Sequence, residues 1–295
     1  MKTRVGILFL SCMLIFTTAC KNQQAKKDGG FEFNSENLKK SDIEVTKSFI
    51  YMFPSPGVLL ERFHESDLMY FPGLMNDPAN SDTYLSSRDK GLNLGVYITD
   101  MAYAAIFERS SESVAYIDEI KKLSTELNVS TSIFEGLIDR AKENVGNNDS
   151  LVAISNEVFY NMIQFLEESG KESTIAIISC GAYIEAMYMV LHSVDEYDAE
   201  NPVIQSITEM KYPMENLLGH TESNSDDPSV QSILNYVKEL SALFAELDEE
   251  SSSVTKSEPG VLTFSGGTPP ELSEDNYSEM KALVNRIRES ITLVN

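Results

Sequence analysis

The chain has 295 residues, with 46 Asp and Glu against 23 Lys and Arg and a formal net charge of −23 at neutral pH. A surface this acidic repels phosphate backbones and anionic headgroups, which excludes nucleic acid as an expected partner and leaves no basic patch for adhesion to a bilayer. Three cysteines and no tryptophan leave little for a disulfide framework or for a glycan platform built on indole rings.

The first 20 residues read as a leader. Lys2 and Arg4 are followed by an almost wholly apolar run, Val5 to Phe16, and then by Thr17, Thr18, Ala19 and Cys20. A run of about 12 apolar residues is short of the ~20 that span a bilayer, so the pattern is that of a secretory signal (1–19) rather than a membrane helix. Ala19-Cys20 resembles the lipobox of bacterial lipoproteins, with Thr17 where that pattern usually has Leu. The resemblance implies cleavage before Cys20, diacylglycerol on its thiol and an acyl chain such as palmitate on its new amine. Two or more chains anchor a protein stably, so the expected contact with the membrane is through lipid alone. Lys21, in place of an Asp, favours the outer membrane. The run Lys21 to Gln24 has no acid, which points to the periplasmic leaflet, with the cell surface as the alternative. Residues 20–37 read as the lipidated Cys and a flexible tether.

Beyond the tether the apolar spacing is helical nearly everywhere, in one domain covering 38–295. Ile43, Phe49, Ile50 and Phe53 predict a first helix stopped by Pro54, and Val58, Leu59 and Phe63 a short second one. Residues 70 to 80 read as loop, and a long helix follows from about Thr83 to Arg109. Ser110 or Ser111 is expected to cap a helix to Leu127, Ser130 the next, and Asn148 or Asp149 a long one ending at Glu168 before Gly170. Thr174 to Val194 is apolar all round and should be the central helix. Helices over 202–218 and 228–247 follow, the latter with Pro228 in its first turn. From 251 to 272 the pattern fails. The sequence predicts a long loop there, with Val261 to Phe264 as a candidate short strand, before a last helix from Ser273 to Val294. The fold class expected is all-α, a bundle or short array of helical hairpins with about 8–10 helices.

Two segments repeat. Gly95-Val96-Tyr97-Ile98 with Met101 matches Gly181-Ala182-Tyr183-Ile184 with Met187, and Leu151, Ile154, Asn156, Val158 and Phe165 match Val230, Ile233, Asn235, Val237 and Phe244. The pattern suggests a duplicated helical unit, about 83–169 and 172–250. The leader, Gly95 to Tyr103, Asn147 to Leu151 and Gly181 to Glu185 together resemble uncharacterised all-α lipoproteins of Gram-negative bacteria. That resemblance implies a helical fold without an assigned activity.

Chemical motifs are scarce. His64, His192 and His220 have no His or Cys at ligand spacing, and no calcium loop, phosphate loop or Gly-x-Ser-x-Gly elbow is complete, so neither metal nor cofactor is expected. The histidines read as surface or cap residues, and Cys180, in an apolar run, as a small buried hydrophobe. One constellation stands out. Asp100 and Glu185 lie in the two repeated segments, accompanied by Tyr97, Tyr103, Tyr183 and Tyr188. Facing helices would bring the carboxylates together in a central cleft, as candidate catalytic groups, with the tyrosines as candidate binding residues. The plainer alternative is that each carboxylate caps, or pairs with Arg88, Lys90 or backbone. An interaction module for an envelope protein, peptide or small-molecule ligand is therefore the favoured expectation. A carboxylate-using envelope hydrolase is the alternative, and a structural spacer the dullest.

Overall fold

Side-chain caps and prolines set where most of the helices begin. In the computed structural model, which describes residues 53–71, 73–129, 134, 136–247, 254–258, 261–264 and 272–293, helix α1 is Pro56–Glu65. Pro56 occupies its first turn and the Ser55 hydroxyl accepts from Val58 N–H. A 3-10 turn, Pro78–Thr83, opens on the Asp77 carboxylate, and α2, Ser87–Ile106, on Ser86. Then come α3 (Ser110–Glu126), α4 (Leu137–Glu143), α5 (Asn148–Glu168) and α6 (Glu172–His192). The segment 202–223 holds α7 (Pro202–Ile207), a 3-10 turn (Thr208–Met210) and α8 (Lys211–Ser223), followed by α9 (Pro228–Ala245). A hairpin of β1 (Val254–Glu258) and β2 (Val261–Phe264) precedes α10 (Glu274–Thr292).

The fold is all-α, with ten α-helices among the described residues. The leader, Cys20, the tether and all of the first expected helix but Phe53 lie outside those residues. Within them the boundaries move. α3 has Arg109 at its N-cap without a side-chain bond, and the Ser110 hydroxyl instead donates to Asn148 Oδ1. α4 starts from Gly136 in the left-handed region (φ 80°), not from Ser130, which is outside the described residues. Asn147, one residue earlier than expected, caps α5. The single helix expected over 202–218 is broken. Pro213 has no N–H to offer the carbonyl four residues back, and the chain tightens into a 3-10 turn just before it. The loop expected over 251–272 contains the antiparallel pair of β1 and β2, with Thr255 opposite Thr263 and a bulge between Lys256 and Glu258.

α6 is long and apolar enough to cross a membrane, but almost all of it is buried within the domain. Helices α1, α2, α5, α7, α8, α9 and α10 pack around it. Its most intimate partner is α2. A Cβ placed on Gly95 would stand 2.1 Å from Ile178 O and 2.6 Å from Ala182 N; one on Gly181 would stand 2.0 Å from Leu92 O. Backbone therefore meets backbone, and only glycine permits the approach. The contact is reciprocal: Gly95 sits on Ile178 and Gly181 on Leu92, which are matching positions of the two repeated segments. Thr99 Oγ1 bridges the helices, donating to Gly95 O (3.0 Å) or Ala182 O (3.3 Å).

Candidate functional site

The close crossing brings Asp100 and Glu185 together. Both are fully buried, and the Asp100 carboxyl feels the negative charge of Glu185. On α2 the polar stripe Asn93, Tyr97, Asp100 and Tyr103 runs at helical spacings of three and four, and all four residues are completely buried. On α6, Glu185, Tyr188 and His192 make the matching stripe. The site is completed by groups the sequence reading did not select. Arg288 of α10 makes a bidentate pair with Glu185, from Nε to Oε2 at 2.7 Å and from Nη2 to Oε1 at 2.8 Å. Its Nη2 also donates to Leu74 O (2.7 Å), and its guanidinium carbon lies 4.0 Å from the centre of the Tyr188 ring. Asn76 N–H donates to Asp100 Oδ2 (3.2 Å), and Tyr116 of α3 donates to Asn76 O (2.8 Å).

The ring of polar groups around this centre is spent on structure. Asn76 Nδ2 donates to Tyr84 (2.9 Å) and Asn93 Oδ1 (3.3 Å), and Asn93 Nδ2 to Ile291 O (2.8 Å). Tyr97 donates to Asp77 O (3.0 Å). Tyr103 donates to Met69 O (3.2 Å) and accepts from Phe71 N–H (2.9 Å). Tyr183 does not belong to the group. It points to the other side of α6 and donates to Met210 O (2.9 Å). So Asp100, Glu185, Tyr97, Tyr103 and Tyr188 share one site, but as a sealed core rather than the cleft expected, and Tyr183 is elsewhere. Neither Arg88 nor Lys90 is the carboxylates' partner: Arg88 pairs with Asp89 (3.0 Å) and Lys90 with Glu126 (2.8 Å).

Electrostatics follow from burial. Desolvation first, and then the negative Glu185 beside it, hold the Asp100 carboxyl well above the usual carboxylate range, against the opposing pull of Arg288 and Asn76 N–H. Burial opposes the charge on Arg288, but Glu185 outweighs it and the guanidinium is held more firmly protonated. Burial raises the phenols of Tyr84, Tyr97 and Tyr116, and pushes Tyr103 up to about 12. His192, against the Tyr188 ring, is pushed below its ordinary value by burial and by the nearby Lys281 and Arg288.

Of the three histidines expected as surface or cap residues, His64 is exposed, while His192 and His220 are partly enclosed. His192 Nδ1 donates to Tyr188 O (2.8 Å), and His220 lies against Phe53 and reaches Glu172 O (3.3 Å). Cys180 is buried, its thiol pushed up to about 12 by desolvation. Among the described residues no three His, Cys, Asp or Glu side chains group as a metal site. Arg288 could have been found from sequence: it stands four residues after Val284 and three before Ile291, both buried, so a cation was placed on an apolar face. Asn76 and Leu74 carry no such signal, because a loop's backbone contacts have no sequence period. No family model, no curated protein and no solved structure matches this chain.

Proposed function

We propose that this chain is a lipid-anchored helical interaction module of the bacterial cell envelope. In this reading Cys20 carries the anchor, the outer membrane holds it with the periplasmic leaflet favoured, and the helical domain presents its surface to an envelope protein, peptide or small-molecule ligand. The leader supports the anchor, through Lys2, Arg4, the apolar run and Cys20. The observation that carries the choice against catalysis is the fate of the only carboxylate pair the sequence singled out. Asp100 and Glu185 are sealed from solvent and tied to Arg288 and Asn76, with their neighbouring phenols committed to backbone carbonyls. A general acid or base must reach its substrate within hydrogen-bond distance, and these groups reach only the protein itself. The hydrolase alternative thereby loses its support, and the outer surface is left to do the work.

Two experiments test the halves separately. Cys20→Ser should abolish labelling by palmitate in cells and move the protein out of the membrane fraction; persistent label would overturn the anchor. Cross-linking in the intact envelope should capture one component at near-stoichiometric yield. A domain that is always recovered alone would overturn the interaction role while leaving the anchor untouched.

A further inference from the structure

We infer that Asp100 keeps its proton beside the Glu185–Arg288 pair, and that this proton latches α10 onto the α2–α6 crossing. The argument begins with a count of donors. Both oxygens of Glu185 are taken by Arg288, so Glu185 is the carboxylate. Asp100 Oδ2 takes the Asn76 N–H, while its Oδ1, buried from solvent, receives no N–H or protein hydroxyl. A fully buried carboxylate oxygen with no donor is costly, and a proton on that oxygen removes the charge that would need one. Charge gives the same answer. Two carboxyls and one guanidinium are neutral together only if one carboxyl keeps its proton, and a buried net charge is costly.

The groups facing the pair from every side leave Asp100 as the one that titrates. From α2 and the loop before it come Tyr97, Tyr103 and Tyr84. From α3 comes Tyr116, with Asp77 and Glu112 acting on that phenol from further out, from α6 Tyr188 and His192, and from α10 Arg288 with Lys281 further out. The buried phenols named above stay neutral far into the alkaline range, and His192 titrates below its ordinary value.

The consequence is a device. With the proton in place the group is neutral: Arg288 joins α10 to Glu185 of α6 and to Leu74 O, and Asn76, two residues on, holds Asp100 of α2. Removing the proton leaves two buried negative charges against one positive. The cheapest relief is for this end of the domain to open, letting water in where α10 docks. The folded state binds a proton on Asp100 that the unfolded chain releases near pH 4, so stability falls as pH rises from there through the folded value. The latch is tightest in acid and loosens as pH rises through the folded value.

The test uses the full-length protein and Asp100→Asn, whose amide has nearly the shape of the acid but cannot ionise. The infrared difference spectrum at neutral pH should show a protonated carboxylic acid carbonyl in the wild type that is missing in D100N. Hydrogen exchange, corrected for base catalysis, should show α10 protection in the wild type falling by up to about tenfold per pH unit from about pH 4 upward and levelling off once the folded protein has lost the proton, and staying level in D100N. If D100N does not fold, carbon NMR of labelled aspartate in the wild type reports the same proton as one carboxyl with the protonated shift at neutral pH. No protonated carboxyl at neutral pH, or the same pH course of α10 protection in both proteins, overturns the inference.

Discussion

Two arginines two residues apart on α10 each pair with a glutamate, and they do opposite amounts of work. Arg286 meets Glu239 of α9 at the surface, where the side chains keep 69% and 51% of their exposure. Arg288 meets Glu185 of α6 with 13% and 0%. The chemistry is the same; water is the difference. At the surface, solvent screens the pair and replaces either partner when it is lost. In the core nothing replaces a missing partner, so the pair gives specificity of position and makes its own removal expensive. Of these two ion pairs on α10, one therefore matters to docking and the other does not.

The widest break in that comparison comes from truncating each arginine in turn. Arg288→Ala should destabilise the domain by about 3–5 kcal/mol in urea unfolding, because it leaves Glu185 buried and uncompensated. Arg288→Lys should recover only part of this, since an ammonium cannot make the bidentate fork. Next in size is Gly95→Ala. Its methyl meets Ile178 O, which cannot swing away as a side chain would, so α2 must part from α6 and carry Asp100 away from Glu185. A loss of about 1–3 kcal/mol is expected, with the Arg286 pair unaffected. Smaller again is a pH effect at the edge of the buried pair. His192 is held below its ordinary 6.5 by burial. The unfolded chain therefore takes up a proton first, and stability is present above about pH 6.5 and falls as pH drops below it. His192→Gln should flatten that acid limb in a series of urea midpoints against pH. Arg286→Ala should cost only about 0.2–1 kcal/mol, and less in high salt.

How much of this was readable beforehand follows the same division. Helices α2, α5, α9 and α10 were legible because apolar residues recur every three or four positions and Ser, Asp or Asn stand at their starts, and α6 because it is apolar all round. Cys180 was legible from its apolar run. The convergence of Asp100 and Glu185 was legible too, through the Gly-x-Tyr-Ile repeat, since two glycines in matching segments are what a backbone-to-backbone crossing needs. What the sequence concealed was long-range. Arg288 lies more than a hundred residues from Glu185, and Asn76 acts through its backbone N–H, which every residue but proline carries. A carboxylate pair without its cation looks like an active site. With the cation in view it becomes a sealed anchor for the last helix. The break at Thr208–Met210 was hidden differently, because Pro213 sits inside an otherwise periodic run and its effect falls on the residues before it.

The most direct test of the sealed-anchor account is residue-resolved hydrogen exchange on Arg288→Ala beside the wild type at neutral pH. Protection should collapse in α10 while α2 and α6, held by the Gly95–Gly181 crossing, keep most of theirs. Unchanged protection of α10 would contradict the account and would return Asp100 and Glu185 to the list of groups free to serve a ligand.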